Sequence, residues 1–258
     1  LVDFMRLRAE LHMFLGEPDQ AEPIYRQLVE KKAIAWARLG LAKTLFLRER
    51  YDEARGMLED LVESNANFVD AYDWLARTHE AVGALDAAQA VLTEAVAVSP
   101  HAVRRLRKLG ETALEAGDHD TAEKILKQVV SKAKYSEFKD PQDHVRLVQT
   151  LVRKGDPVQA AAVIRDLDKS MAFQKHTPLC SAIASSLVHE YTGNEARLAE
   201  SLTTALAASK DAPDLRPDIK LELARTCIEN GMEEGAAEVV RDVMRNAQNG
   251  AAVARAMA

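Results

Sequence analysis

The chain has 258 residues, of which 47% are hydrophobic and 29% charged, and its formal net charge is −6. This apolar content excludes a disordered chain, and the net negative charge disfavours a surface that binds nucleic acid. No apolar run approaches the roughly 18 residues that span a bilayer. From the charge and from this absence we expect neither a nucleic acid nor a membrane as partner. Cys180 and Cys227 are 47 residues apart without a CxxC motif. We expect both to be reduced and buried, in a cytoplasmic protein.

A glycine five residues ahead of an alanine recurs along the chain. The pairs are Gly16–Ala21, Gly83–Ala88, Gly117–Ala122, Gly155–Ala160 and Gly231–Ala236. Gly193 keeps the same place, and the turn ahead of Ala54 lacks the glycine. A glycine here ends one helix in a left-handed cap, and Asp118 and Asp156 are suited to begin the next helix. The pattern therefore predicts a series of helix pairs with a close crossing at each alanine.

The second-helix positions 21, 54, 88, 122, 160, 198 and 236 are separated by 33, 34, 34, 38, 38 and 38 residues. Periods of this size are typical of helical solenoids. We predict seven helix pairs, at about 1–31, 32–67, 68–100, 101–138, 139–175, 176–213 and 214–249. The additional residues of the later repeats fall at 134–140, 172–177 and 210–216. They indicate either longer second helices or longer connecting loops.

The stretch Asp70–Pro100 carries the repeat in its best-formed version. At helical spacing it has Tyr72, Leu75, Ala76, His79, Ala88, Leu92, Ala95 and Pro100. This pattern resembles the tetratricopeptide repeat (TPR) family, with Tyr72 in place of Trp and His79 in place of an aromatic residue. The resemblance implies an all-α, right-handed superhelical solenoid of about seven antiparallel helix pairs.

We expect one solenoid over residues 1–258, with 34-residue repeats over about 1–130 and 38-residue variants over about 131–249. Residues 250–258 form an apolar run, which we interpret as a partial cap or a truncated further repeat. Because the chain starts at Leu1, we expect it to be a piece of a longer protein. Its Ala- and Arg-rich helices and Gly/Asp turns resemble bacterial TPR arrays, so we expect a TPR region of a larger bacterial protein.

Motifs of catalysis do not occur in the sequence. It contains no GxSxG, P-loop, HExxH or GxGxxG motif, and its seven histidines are scattered over the repeats. We therefore expect no enzyme, no cofactor and no metal site.

The resemblance implies that the first helix of each pair lines a concave groove. The predicted partner-binding residues on these helices are Asp73, Trp74, Arg77, Arg104, Arg107, Lys108, Arg146 and Arg153. The basic cluster in this set suits a carboxylate-rich peptide. The alternative is a solvated helix face that Glu111 and Glu115 partly neutralise. Trp74 is either a binding hot spot or a residue that packs against Tyr72 or the adjacent repeat.

These features predict a scaffold for protein–protein interaction that holds a peptide or a partner domain, acidic in character, in its concave groove. The alternative function is the output arm of a bacterial signalling protein, such as a response regulator with a receiver domain. The sequence leaves the oligomeric state open.

Overall fold

The computed structural model describes residues 2–31 and 34–256, with side chains described up to Asn246. This part of the chain forms fourteen helices and no strand. The helices are α1 (Val2–Phe14), α2 (Pro18–Lys31), α3 (Ala35–Leu47), α4 (Tyr51–Ser64), α5 (Val69–Ala81), α6 (Leu85–Val98), α7 (Val103–Glu115), α8 (His119–Ala133), α9 (Gln142–Arg153), α10 (Pro157–Ser170), α11 (Thr177–Tyr191), α12 (Glu195–Ser209), α13 (Pro217–Glu229) and α14 (Glu233–Ala256).

The fourteen helices are the seven predicted pairs. By their contacts they form two compact units, residues 1–105 with 250–258 and residues 106–249. In the first unit each helix from α1 to α5 packs on the next one in the chain. The second unit contains α8 to α13 and the greater part of α7 and α14. The predicted cap or further repeat at 250–258 falls on a stretch whose side chains, and whose last two residues, lie outside the described part.

The turn inside each pair has the predicted left-handed residue. Gly83, between α5 and α6, has φ 75°. Between α3 and α4 this residue is Glu49, with φ 59°, and it is the non-glycine residue with positive φ in the described chain. The missing glycine ahead of Ala54 is therefore replaced by a side chain held in the conformation that glycine tolerates best.

The helix starts follow the sequence where an aspartate precedes them. Asp118 accepts a hydrogen bond from the backbone N–H of Thr121 at 3.1 Å, and Asp156 accepts one from Gln159 at 2.9 Å. The additional residues of the later repeats lie in the connecting segments 134–141, 171–176 and 210–216. The second helices α8, α10 and α12 have 15, 14 and 15 residues, against 14 in α2, α4 and α6. The additional residues therefore lie in the connecting segments and not in α8, α10 or α12, whereas α14, the second helix of the last pair, has 24 residues.

Helix α9 is the most enclosed helix of the second unit. Its residues 142–151 are all buried, including charged and polar ones. It packs on α8, α10 and α11. His144 lies among these neighbours and is 1% exposed. Burial lowers the pKa of His144, although Asp166 opposes that shift.

Both cysteines are free and buried, as expected. They lie in one apolar cluster of the second unit, built from α9 to α14. Burial raises the pKa of the Cys180 thiol to about 12 and that of Cys227 to about 11. These thiols are protonated at neutral pH and act as small apolar side chains.

Candidate functional site

The first unit has a cavity on the side formed by its first helices. The cavity has a volume of about 340 Å³ and lies between α1, α3 and the start of α5. It is lined by Arg6, Glu10, Met13, Tyr25, Trp36, Leu39, Gly40, Lys43, Phe68 and Asp70. The lining combines apolar side chains with charges of both signs.

Close packing of two helices shapes the floor of this cavity. Tyr25 of α2 packs over Gly40 of α3, where an added Cβ atom would lie 2.3 Å from the Tyr25 ring. The glycine therefore lets the two helices approach closely. Trp36, Leu39 and Lys43 lie at helical spacing on the side of α3 that faces the cavity. The guanidinium of Arg6 lies 4.7 Å from the centre of the Trp36 ring, and its Nε donates to Glu10 at 2.7 Å.

Two cations lie close to the ring of Trp74, and one of them, Lys43, also lines this cavity. The Lys43 ammonium is 5.3 Å and the Arg77 guanidinium 4.9 Å from the centre of its ring. Phe46 packs edge-on against the same ring at 5.4 Å. Trp74 and Lys43 are half-buried, and Arg77 is exposed. Trp74 thus packs on the adjacent repeat while it holds two cationic side chains at the surface.

Asp73 is engaged by an arginine that the sequence prediction left out. Arg105 donates to both carboxylate oxygens of Asp73, at 2.8 and 2.7 Å, and to the Ser99 hydroxyl at 2.5 Å. The hydrogen bond with Asp73 raises the pKa of Arg105. Arg104, which was predicted to bind a partner, is exposed on the same helix and has a contact within the chain.

In the second unit, Arg107 is held by the chain itself. Its Nε and Nη2 donate to Asp143 at 2.6 and 2.8 Å, and its Nη2 also donates to the backbone oxygen of Phe138 at 2.9 Å. Burial raises the pKa of Asp143, and the hydrogen bonds from Arg107 oppose this shift. Lys108 is half-buried with a contact within the chain, and Arg153 is exposed.

Arg146 lies deeper than the prediction of an open groove requires. It is 6% exposed, donates to Gln149 Oε1 at 2.8 Å and forms an ion pair with Asp218 at the start of α13. Burial, together with the nearby charge of Arg216, lowers the pKa of Arg146. In this structure Arg146 is therefore a buried cation that the chain's own carboxylate neutralises.

Arg216 completes a network that joins α7, α9 and the start of α13. It forms an ion pair with Glu111, and its backbone N–H donates to Gln142 Oε1 at 2.7 Å. Its Nη2 lies 3.7 Å from Asp143. Sequence reasoning placed residues 210–216 between two pairs but assigned them no role. Gln142 and Glu111, the partners of Arg216, are 74 and 105 residues away in the sequence, so the period of one repeat does not predict these contacts.

The described residues contain no cluster of histidine, cysteine and carboxylate side chains that could hold a metal ion. Within the same residues, no helix combines the length and the apolar character needed to cross a bilayer.

Comparison with known proteins adds the family. The model of the tetratricopeptide repeat matches residues 15–77 and 80–140. Residues 15–77 and 80–140 of this chain are tetratricopeptide repeats. A TPR protein of Parabacteroides merdae has a similar fold, with a TM-score of 0.68 and 11% identity over 99% of this chain and 98% of that one. No curated protein sequence matches this chain.

Two further TPR structures are similar over a shorter part. The MamA protein aligns with a TM-score of 0.57 and 18% identity, over 66% of this chain and 91% of that one. YrrB, described as a TPR protein with an unusual peptide-binding site, aligns with a TM-score of 0.57 and 13% identity over 72% and 93%. The TPR fold in general supports a scaffold for protein–protein interaction.

Proposed function

We propose that this TPR protein binds a peptide segment of a partner protein on the first unit, at the cavity between α1, α3 and α5. The observation that carries the proposal is the arrangement of Lys43 and Arg77 on the Trp74 ring. Lys43 also lines the cavity, so the cations and the apolar space form one surface. The peptide-binding site named for YrrB gives a precedent in a protein of similar fold.

The chemistry of this surface favours an acidic peptide with an apolar residue. Lys43 and Arg77 supply charged donors for carboxylates, and the aromatic ring between them limits the conformations that they explore. Trp36 and Leu39 supply apolar area in the adjacent cavity. An aromatic residue with flanking cations is the composition found at binding hot spots.

The proposed site keeps only part of the residue set predicted from the sequence. Trp74 and Arg77 belong to it, and Lys43 joins them. Arg107 and Arg146 are already paired with carboxylates of the second unit. A partner would have to displace those carboxylates to reach either guanidinium, so Lys43 and Arg77 are more accessible than Arg107 and Arg146.

The test is a binding titration with a fluorescein-labelled peptide that carries one Leu flanked by glutamates. Arg77→Glu should weaken binding by about tenfold or more, because a charge-assisted contact becomes a repulsion. Arg55→Glu is the matched control, since Arg55 lies on the second helix α4 and pairs with Asp52 at 2.9 Å. If both variants bind with wild-type affinity, or both lose affinity equally, the proposed surface is wrong.

A further inference from the structure

Arg146 has more hydrogen-bonding capacity than its surroundings use. Its Nη1 donates to Gln149, and its Nη2 pairs with Asp218. Its Nε is buried and has no acceptor among the described residues, and the same holds for Nε and Nη2 of Arg216. Buried donors without acceptors are costly. The region around Arg146 and Arg216 therefore has the features of a site for a group with several hydrogen-bond acceptors.

We propose that Arg146 and Gln149 form a carboxylate-binding site in the second unit, and that Asp218 is its built-in occupant. A carboxylate of a partner protein takes the place of Asp218 when the start of α13 moves aside. An arginine side chain recognises carboxylates through paired donors, and here the group is fixed by a buried helix.

The two halves of this ion pair differ in access to solvent. The Arg146 side chain is 7% exposed, whereas the Asp218 side chain is 38% exposed. Asp218 lies in the first turn of α13, directly after the connecting segment 210–216. Replacement of Asp218 by a partner carboxylate therefore requires movement of a short segment at the start of α13, while α9 and Arg146 stay in the core.

The charges nearby favour a single negative charge on the ligand. Arg107, Arg146 and Arg216 form ion pairs with Glu111, Asp143 and Asp218. The charges of Glu111, Glu115 and Glu222 also act on Arg146, so a ligand with one negative charge meets less repulsion than a ligand with two. A doubly charged phosphate would add one uncompensated charge in a region of low dielectric. The ligand class is therefore a carboxylate, from either an acidic side chain or a chain terminus.

The decisive experiment vacates the site and offers acetate as the probe. In Asp218→Ala the thermal unfolding midpoint should rise with acetate by about 2 °C or more beyond the rise in chloride of equal ionic strength. The matched control is Arg146→Met/Asp218→Ala, which lacks the cation and should not show this difference. Equal responses to acetate in the two variants would overturn the proposal. If Asp218→Ala does not fold, Asp218→Asn keeps the side-chain shape and allows the same comparison with Arg146→Met/Asp218→Asn.

Two labelled peptides then separate the two sources of the carboxylate. One carries a single Glu and an amidated end, and the other lacks Glu and has a free C-terminal carboxylate. They are titrated against Arg77→Glu/Asp218→Ala, so that the first unit's proposed surface does not contribute. Saturable binding of either peptide, displaced by acetate, supports the site and identifies the source. Binding of neither peptide would contradict its assignment to a partner.

Discussion

Arg146 of the fifth helix pair forms an ion pair with Asp218 of the seventh, so the second unit is joined across the pair between them. Arg216 adds ties from the start of α13 to α7 and α9. In a simple repeat array each pair contacts only its neighbours, and stability is close to a sum of local terms. These contacts depart from that description, and we expect the second unit to unfold more cooperatively than a simple array.

The Arg146–Asp218 pair gives a first prediction on stability. Asp218→Ala should lower the free energy of unfolding by about 1–3 kcal/mol, because a buried guanidinium loses one of its partners. The loss is smaller than for a fully buried pair, since Asp218 is 38% exposed and Glu111, Glu115 and Glu222 still act on Arg146. Arg146→Met/Asp218→Ala should recover part of that loss, since the buried charge is gone. Urea unfolding of the single and double variants measures the coupling. Strictly additive effects of Arg146→Met and Asp218→Ala would show that the pair contributes no coupling.

The left-handed turn residues give a second prediction. Substitutions at two of these positions should change the free energy of unfolding in opposite directions. Glu49 has φ 59°, a conformation that costs a non-glycine residue about 1 kcal/mol. Glu49→Gly should therefore raise the free energy of unfolding by up to about 1 kcal/mol, and Gly83→Ala should lower it by a similar amount. No atom lies within 4 Å of the Cβ added at Gly83, so backbone strain is the only direct cost. A destabilised Glu49→Gly variant in urea unfolding would contradict this reasoning.

A third prediction separates helix propensity from packing. Gly40→Ala should cost about 1–3 kcal/mol, because the new methyl group meets the buried Tyr25 ring. Gly56→Ala, in α4, meets no atom within 4 Å and should gain up to about 1 kcal/mol from helix propensity. The urea midpoints of the two variants should move in opposite directions. Equal shifts would mean that α2 and α3 do not approach as closely at Gly40 as described.

Local sequence signals predicted much of this fold. Glycine turns and helical spacing located the pairs, and Asp118 and Asp156 cap their helices as expected. Two polar residues at other helix starts do not cap their helices. Asp86 lies within the first turn of α6, which begins at Leu85, and Thr177 is the first residue of α11, where its hydroxyl donates to the backbone oxygen of Met171.

The candidate site was less predictable because it depends on contacts between repeats. Periodicity identified Arg146 as a residue of a first helix, yet it could not show that Asp218 neutralises it. Such contacts follow from the small rotation between successive repeats, which accumulates along the chain and is not encoded in one turn motif. The contact between Lys43 and the Trp74 ring likewise links two repeats, so the period of one repeat does not predict it.

A fourth prediction concerns pH. Burial lowers the pKa of His144 in the folded chain, so the unfolded chain binds the proton more readily. The contribution of neutral His144 is complete above its unfolded pKa, about 6.5, and is lost as the pH falls toward the lowered folded value. Leu106 holds the equivalent position one repeat earlier, which makes His144→Leu a suitable variant.

Thermal unfolding of the two proteins between about pH 7 and pH 5 measures this effect, which lies around the ordinary histidine pKa. His144→Leu should lose less stability than the wild type on acidification, although Asp166 reduces the difference by favouring the charged imidazole. Parallel profiles would mean that His144 does not titrate differently on folding.

The proposed function depends on an accessible peptide-binding surface in the first unit. In the second unit Arg146 is paired with Asp218 of the same chain. Hydrogen–deuterium exchange of the intact wild-type chain, with and without the labelled Leu/Glu peptide, tests most directly whether the peptide binds this surface. We predict added protection in α3 and α5, around Lys43 and Trp74. Unchanged exchange in both α3 and α5 at a saturating peptide concentration would contradict the proposed function.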